Sequence, residues 1–204
     1  MTSPFETIAP RYDTLWSSTP RGRGQRAQVW REIDALFRPG DRILDLGCGT
    51  GDDALHLSEL GIDVYGIDSA AKMVEIAQAR GVRAEKLDIE DLGRLEGPFS
   101  GALSNFGALN CVANLRSVAS QLGRLVQPAG PVAICLMGRV CWPELARGVT
   151  RRLQGHASWR GMEVYYPSSR QVRHAFDPWF AFERRISIGY GDHQLYIFRR
   201  GAPC

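Results

Sequence analysis

The sequence predicts an α/β protein with a doubly wound, mainly parallel sheet, and three observations support this. Residues 42–46 form an apolar run that ends in closely spaced glycines and is followed at once by a helical pattern. This arrangement is typical of a buried parallel strand that leads through a tight turn into a helix. Strand and helix patterns then alternate as far as residue 87, and a chain of 204 residues is long enough for one sheet covered on both faces. We therefore expect a single domain over 1–204.

Composition excludes several classes of protein. With 44% hydrophobic and 23% charged residues, the chain is neither fibrous nor disordered. No apolar run approaches the ~20 residues that cross a bilayer, and the N-terminus has no signal-peptide pattern, so we expect a cytoplasmic protein without a membrane partner. The five cysteines include no CxxC pair, which predicts buried thiols and no metal site.

The N-terminal region is expected to be an arm over 1–23, made irregular by Pro4, Pro10 and Pro20. A helix is expected over 24–37, where apolar residues recur at helical spacing. After the first strand we expect the following elements: a helix over 52–60, a strand over 62–68, a helix that Ser69 caps and Gly81 ends, strands over 82–87 and 99–106, a helix over 115–126 and a strand over 131–137.

The second half alternates less clearly. The region 138–178 is expected to be a variable, substrate-side segment after the cofactor-binding core at 24–137, with helices over 142–153 and 168–176. The strands 179–188 and 193–199 are expected to form an antiparallel pair within the terminal region 179–204.

The glycines that follow the first strand predict a ligand site. Gly47, Gly49 and Gly51 have no Cβ, so the backbone can adopt positive φ and a ligand can approach the main chain closely. Asp68 closes the second strand at about the 20-residue distance at which a carboxylate receives ribose hydroxyls in nucleotide-binding folds. Asp88 ends the third strand. Such a row of carboxylates suits a nucleoside ligand that is not a polyphosphate.

These motifs resemble one known family. Residues 44–51 (Leu-Asp-Leu-Gly-Cys-Gly-Thr-Gly), 66–69 (Gly-Ile-Asp-Ser) with Met73, and 87–89 (Leu-Asp-Ile) resemble class I S-adenosylmethionine-dependent methyltransferases. The resemblance covers about 40–137. It implies a Rossmann-like sheet of seven strands with an antiparallel last strand, S-adenosylmethionine as the cofactor and S-adenosylhomocysteine as the product.

The resemblance also implies roles for individual residues. Gly47 and Gly49 would hold the methionine part of the cofactor, Asp68 the ribose, and Asp88 with the Ile89 N–H the adenine. The full set of implied cofactor contacts is Tyr12, Asp45, Gly47, Cys48, Gly49, Asp68, Ser69, Met73, Asp88, Ile89, Asn105 and Phe106. Two alternatives stay open, namely that Asp88 only caps the next helix and that Met73 only packs in the core.

The acceptor side is less defined. Methyl transfer to an oxygen or nitrogen of a small organic molecule is expected, and a base would help; His156 is ranked first, whereas His193 is assigned a structural role in a terminal strand. Asn110, Tyr165 and Tyr166 are the predicted substrate contacts, although Asn110 could instead cap a helix.

Three other functions compete with this interpretation. A nicotinamide-dependent oxidoreductase would also use the glycine turn, but Asp52 stands where its third glycine belongs. Nucleic-acid methylation is disfavoured because no stacking platform accompanies the arginines of the second half. A non-catalytic cofactor-binding protein and the oligomeric state are left open by the sequence.

Overall fold

The computed structural model describes residues 3–141, 146 and 151–202. Its strands are β1 (Arg42–Leu46), β2 (Asp63–Asp68), β3 (Arg83–Lys86), β4 (Gly101–Ser104), β5 (Pro131–Met137), β6 (His156–Trp159), β7 (Met162–Tyr165), β8 (Phe180–Ile188) and β9 (His193–Arg200). Its α-helices are α1 (Pro4–Ile8), α2 (Pro20–Ile33), α3 (Asp52–Glu59), α4 (Ala71–Ala79), α5 (Leu115–Leu125) and α6 (Ser169–Phe176). Short 3₁₀ helices cover Ala9–Arg11, Ile89–Arg94, Ala108–Cys111 and Arg151–Gln154, and Asp13–Ser17 forms a π-helical turn.

Seven strands form one sheet in the order β3-β2-β1-β4-β5-β9-β8, and β6 pairs with β7 in a separate hairpin. The pairs among β1 to β5 are parallel, whereas β9 runs antiparallel to β5 and to β8. The predicted doubly wound, mainly parallel sheet of seven strands with an antiparallel C-terminal strand is confirmed.

Both faces of the sheet are covered, which explains why the central strands are apolar throughout. Alternate residues of β1 point to opposite faces: Leu44 and Leu46 pack into the core under α5 and α6, and Ile43 packs into the core under α2 and α3. All three are fully buried. The right-handed crossovers between parallel strands bring the carboxyl ends of β1 to β5 to one edge of the sheet.

The expectation of an irregular N-terminal arm is wrong. Pro4 and Pro20 each stand in the first turn of a helix, where a missing N–H costs no hydrogen bond, and Ser3 and Thr19 cap those helices. The proline residues therefore start helices instead of breaking them. As a result, α2 begins earlier than the predicted 24–37 and ends at Ile33.

The predicted helix cap at Ser69 is also wrong. The residue before α4 is Ala70, and no side chain of its own caps the helix. The carboxylate of Glu6 in α1 does so instead, because it accepts hydrogen bonds from the N–H groups of Ala71 (2.6 Å) and Lys72 (3.1 Å). A residue 65 positions away in the sequence thus fixes the arm to the sheet.

The hairpin β6–β7 was not predicted. Its turn consists of Arg160 and Gly161, both with positive φ (52° and 79°), as two-residue hairpins require. The predicted helix over 142–153 lies largely outside the described residues, as does Cys204. The helix over 168–176 is confirmed as α6, with Ser168 as its N-cap. Among the described residues, none of the helices has both the length and the apolar character to cross a bilayer.

Candidate functional site

A cavity of about 1200 Å³ lies at the carboxyl ends of the parallel strands. One side, which we call the cofactor wall because the sequence interpretation assigns most of it to the cofactor, consists of residues at or after the ends of β1, β2 and β3: Gly47, Gly49, Asp68, Ser69, Met73, Lys86, Asp88, Ile89 and Glu90. The other side, which we call the acceptor wall, consists of residues from the N-terminal arm, α2, the hairpin and the start of β9. It includes Phe5, Tyr12, Trp16, Arg21, Gln25, Arg26, Trp159, Tyr166, Asp192 and His193. Asn105 and Phe106 lie at the end of β4 and also line the cavity.

The glycine residues of the turn on the cofactor wall leave space that a side chain would fill. A Cβ on Gly47 (φ +75°) would lie 2.2 Å from the Cβ of Ala108, so only glycine fits there. A Cβ on Gly49 (φ +56°) would meet no atom within 4 Å, because it would enter the cavity. The N–H groups of Gly47 and Gly49 already donate to the Ile67 carbonyl (2.8 Å) and to Asp68 (3.0 Å). The turn therefore provides space for a ligand, but these two N–H groups are not available to bind it.

Asp68 is held rigidly at the end of β2. Its Oδ2 accepts from the Gly49 N–H at 3.0 Å and its Oδ1 from the Ala70 N–H at 2.9 Å. Burial raises the pKa of Asp68, and these two hydrogen bonds oppose that shift. Because each carboxylate oxygen can accept a second hydrogen bond, Asp68 is preorganised to receive two hydroxyl groups of a ligand.

Asp45 and Cys48 lie behind the cofactor wall and are not among the described lining residues. Asp45 is 1% exposed, and its Oδ2 has no hydrogen-bond partner among the described residues. Burial and the nearby carboxylate of Asp53 raise its pKa well above the usual value, against the effect of Arg26. Burial likewise raises the pKa of the Cys48 thiol.

The other predicted residues of the cofactor wall also line the cavity. Asp88 accepts the Glu90 N–H at 2.9 Å, so it caps the 3₁₀ helix as the alternative proposed, and it still borders the cavity beside Ile89. Met73 is 1% exposed and packs in a small cluster with Ala9, which leaves little of it for a ligand.

Asn105 and Phe106 join the two walls. Asn105 is 7% exposed, and neither its Oδ1 nor its Nδ2 has a partner in the described part of the chain. Buried amides usually have hydrogen-bond partners, and this one lines a cavity, so Asn105 is a candidate contact for a polar ligand. Phe106 has a positive φ of 51°, a strained conformation that is common at functional sites. Arg26 lies 4.9 Å above its ring.

The acceptor wall contains a series of aromatic contacts between the N-terminal arm and the hairpin. Tyr12 packs against Phe5 and Trp16, with ring centroids 6.4 and 5.1 Å apart, and Phe5 in turn reaches Trp159 of the hairpin at 5.7 Å. Burial raises the pKa of Tyr12 to about 12, so its hydroxyl keeps its proton at neutral pH. The arm and the hairpin thus meet across the cavity.

Three of the predicted acceptor-side residues are placed away from the described cavity wall, and only Tyr166 lines it. The Asn110 side chain is fully buried and ties the Met137 N–H (2.8 Å) to the Tyr165 carbonyl (2.6 Å). His156 is half exposed and pairs with Glu163 across the hairpin. These positions give Asn110 and His156 structural contacts.

Two further residues, Asp192 and His193, line the cavity. The sequence interpretation assigns His193 a structural role and does not include Asp192 in the site. The register of the sheet places His193 opposite Met137, the last residue of β5. Since β9 is antiparallel, its first residue lies at the edge where the parallel strands end. The sequence could have indicated this position for His193, because a strand that pairs antiparallel with the fifth parallel strand must begin at that edge.

The described residues contain no cluster of three or more His, Cys, Asp or Glu side chains that could hold a metal ion. The cysteines Cys48, Cys135 and Cys141 are buried and reduced.

Comparison with known proteins gives consistent results. The profile of a family described as "Methyltransferase domain" matches residues 43–130. The chain is 36% identical over 141 residues to the demethylmenaquinone methyltransferase of Thermus thermophilus, covering 64% of this chain and 62% of that protein. It is 32% identical over 146 residues to the 2-phytyl-1,4-naphtoquinone methyltransferase of Trichormus variabilis, covering 64% and 61%. The chain thus spans about three fifths of the length of these curated relatives.

Solved structures share the fold. The CcbJ methyltransferase from Streptomyces caelestis superposes with a TM-score of 0.76 at 16% identity, over 98% of this chain and 99% of that one. At this identity the likeness concerns the fold alone.

Proposed function

We propose that this chain is a class I S-adenosylmethionine-dependent methyltransferase that transfers a methyl group from S-adenosylmethionine to a small organic molecule bound in the cavity. When bound, the cofactor supplies a methyl group already activated on a sulfonium, so the protein has to align the acceptor and exclude water.

The residues of the cofactor wall fit this cofactor. Asp68 has acceptor capacity left for two ribose hydroxyls, and the open space at Gly49 admits a ligand to the backbone. The unpaired amide of Asn105 and the unpaired Oδ2 of Asp45 are suited to an ammonium group, reached directly by Asn105 and through the main chain or solvent by Asp45. In this proposal Ser69, Asp88 and Ile89 border the nucleoside and Tyr12 covers it.

The observation that carries the proposal is one cavity with two chemically different walls. Its volume of about 1200 Å³ exceeds the roughly 300–1,000 Å³ of a typical single-ligand pocket, so two molecules can be held together. The polar wall carries Asp68, and the wall opposite carries Trp16, Trp159 and Tyr166. The aromatic side chains favour a planar, largely apolar acceptor.

The names of the relatives sharpen the choice of acceptor. Two proteins that match 64% of this chain are named as methyltransferases of naphthoquinone compounds. Such rings would fit between the aromatic side chains of the acceptor wall. We therefore favour a hydroxylated ring over a simple amine, with the methyl group going to an oxygen or to a ring carbon that the oxygen activates.

The test has two stages. Isothermal titration should show binding of S-adenosylmethionine and S-adenosylhomocysteine and none of NAD⁺. Release of S-adenosylhomocysteine is then measured with reduced 1,4-naphthoquinone, 2-naphthol and a set of aliphatic and aromatic amines. If the cofactor does not bind, the proposed function is wrong. If it binds but no acceptor of the set turns over, the non-catalytic binding protein becomes the better interpretation.

A further inference from the structure

We infer that His193 is the general base of this enzyme and that the methyl acceptor carries an acidic hydroxyl group, as a phenol or an enol does. The inference rests on the proposed function, because it concerns the acceptor side of the same cavity.

Topology brings His193 to the site of transfer. It is the first residue of β9 and pairs with Met137, the last residue of β5. Its ring makes a T-shaped contact with that of Phe106 at a centroid distance of 5.6 Å, and Phe106 directly follows the unpaired Asn105. The imidazole therefore lines the cavity at the point where the cofactor wall meets the acceptor wall.

The carboxylate beside His193 can orient it. Asp192 is 2% exposed, and its Oδ2 lies 3.3 Å from Nδ1 of His193. The same oxygen accepts hydrogen bonds from Arg21 (2.6 Å) and Gln25 (2.7 Å) of α2. Although burial opposes it, contacts with His193 and Arg21 hold the pKa of Asp192 below its usual value. An ionised Asp192 keeps the proton on Nδ1, which leaves Nε2 as the proton acceptor.

At 3.3 Å this contact is an ion pair without hydrogen-bond geometry, and both Nδ1 of His193 and Oδ1 of Asp192 have no hydrogen-bond partner among the described residues. Catalytic hydrogen bonds are often loose before the substrate binds. Other charged groups near His193 are the guanidinium of Arg26, which lies over Phe106 and pairs with Asp53 at 2.7 Å, and Arg152, whose Nη1 donates to the Asp192 carbonyl at 3.4 Å.

Several other titratable groups of the cavity are committed elsewhere. Asp68 and Asp88 accept backbone N–H groups on the cofactor wall. Burial raises the pKa of Tyr12 to about 12 and that of Cys111 to about 11, so both remain protonated at neutral pH. His193 is the cavity-lining histidine of the described chain, and histidine is the side chain best suited to accept a proton near pH 7.

Proton transfer to His193 accompanies formation of the new bond to the methyl group. Nε2 of His193 takes the proton of the acceptor hydroxyl, and the oxygen, or a ring carbon conjugated to it, bonds to the methyl carbon. The bond between that carbon and the sulfonium breaks, and its electron pair neutralises the sulfur. With a carbon acceptor, the ring then loses the proton of that carbon. His193 finally releases its proton to solvent.

One experiment follows ionisation without turnover. In the presence of S-adenosylhomocysteine, 4-nitrophenol is titrated onto the protein at pH 6, where its colour distinguishes phenol from phenolate. We expect the wild-type protein to bind it as phenolate, and His193→Gln to bind it as phenol or at least tenfold more weakly. His174→Gln, on the exposed surface of α6, is the matched control and should behave as wild type.

A second experiment separates chemistry from folding. His193→Gln should lower kcat for a phenolic acceptor by 10²- to 10⁴-fold and remove the acidic limb of the kcat profile against pH, with an unchanged Kd for S-adenosylmethionine. His193→Asn is the second variant in case the first does not fold. Asp192→Asn, which affects a positioning residue, should lower kcat about tenfold or more and alter the same limb.

The inference is overturned if 4-nitrophenol bound to the wild type stays protonated or fails to bind, or if His193→Gln keeps its kcat. Methylation of amines alone would overturn the inference while leaving the proposed function standing. Failure of the wild type to bind S-adenosylmethionine would instead count against the proposed function.

Discussion

The cofactor wall and the acceptor wall of the cavity are built in different ways. The cofactor wall comes from strand ends that follow one another closely along the chain, and its central contact joins Gly49 to Asp68, 19 residues apart. The acceptor wall joins segments from opposite ends of the chain: Arg21 and Asp192 are separated by 171 residues. A wall made of local turns has a recognisable motif, whereas a wall made of distant segments exists only after folding.

The largest expected effect tests the cofactor wall. Asp68→Ala removes the acceptor of two backbone N–H groups and the proposed partner of the ribose, so two charge-assisted hydrogen bonds of about 1.5–3 kcal/mol each are lost. Affinity for S-adenosylmethionine should fall by roughly 10²-fold or more in a calorimetric titration. Asp63→Ala, at the exposed start of the same strand, is the control. An unchanged Kd for Asp68→Ala would show that the cofactor wall, as defined by Asp68, does not bind the cofactor.

The next effect separates packing from ligand space within the same turn. Gly47→Ala would place a methyl group 2.2 Å from the Cβ of Ala108, and overpacking of this kind costs about 1–3 kcal/mol of folding stability. Gly49→Ala meets nothing within 4 Å and intrudes only on the cavity, at a backbone cost of about 1–2 kcal/mol. Thermal unfolding is measured with and without cofactor. Gly47→Ala should lose more folding stability than Gly49→Ala under both conditions. Gly49→Ala should mainly lose the additional stability that bound cofactor provides. Equal losses in both states for Gly49→Ala would contradict this assignment.

This contrast explains which parts of the molecule the sequence could predict. Among the parallel strands, β1, β4 and β5 follow from apolar runs next to glycine or proline, and the terminal antiparallel pair follows from alternation around Gly189 and Gly191. The positions of Gly47, Gly49 and Asp68 on the cofactor wall follow from the same local pattern. Each of these features depends on residues that are neighbours in the chain or in consecutive elements.

The failures have the opposite origin. The sequence interpretation ranks His156 above His193 because His193 falls in a predicted terminal strand, but in the hairpin His156 pairs with Glu163. The sequence gives no sign that α2 would supply Arg21 and Gln25 to the carboxylate of Asp192. Asn110 looked like a ligand contact because it is polar, and instead it satisfies buried backbone groups of β5 and β7.

A smaller effect concerns the buried carboxylate behind the cofactor wall. The raised pKa of Asp45 means that the folded protein binds its proton more tightly than the unfolded chain does. Folding stability is therefore lost as the pH rises from the ordinary aspartate pKa through the raised value. Asp45→Asn should stabilise the cofactor-free protein by about 1 kcal/mol at pH 8, with a smaller gain at pH 5, in urea unfolding.

The same substitution should weaken the binding of S-adenosylmethionine, because the unpaired Oδ2 of Asp45 is proposed to favour the ammonium group. Asp63→Asn, which changes an exposed carboxylate, is the control for both measurements. If Asp45→Asn lowers stability and leaves binding unchanged, Asp45 belongs to the core of the sheet and not to the cofactor wall.

The smallest effect tests how the two walls are joined. Glu6 in the arm caps α4, and the hydrogen bond from the Lys72 N–H, with that from Ala71, lowers its pKa despite the opposing effect of burial. A lowered pKa stabilises the docked arm above the ordinary glutamate pKa, and this stabilisation is lost as the pH falls through the folded value. Glu6→Gln should weaken docking by about 0.5–1 kcal/mol at pH 7, which corresponds to a two- to fivefold faster release of cofactor in stopped-flow measurements. The difference from wild type should vanish at low pH, where Glu6 itself is protonated. If Glu6→Gln instead releases cofactor at the wild-type rate at pH 7, the arm is held by its aromatic contact with Trp159 and not by the carboxylate.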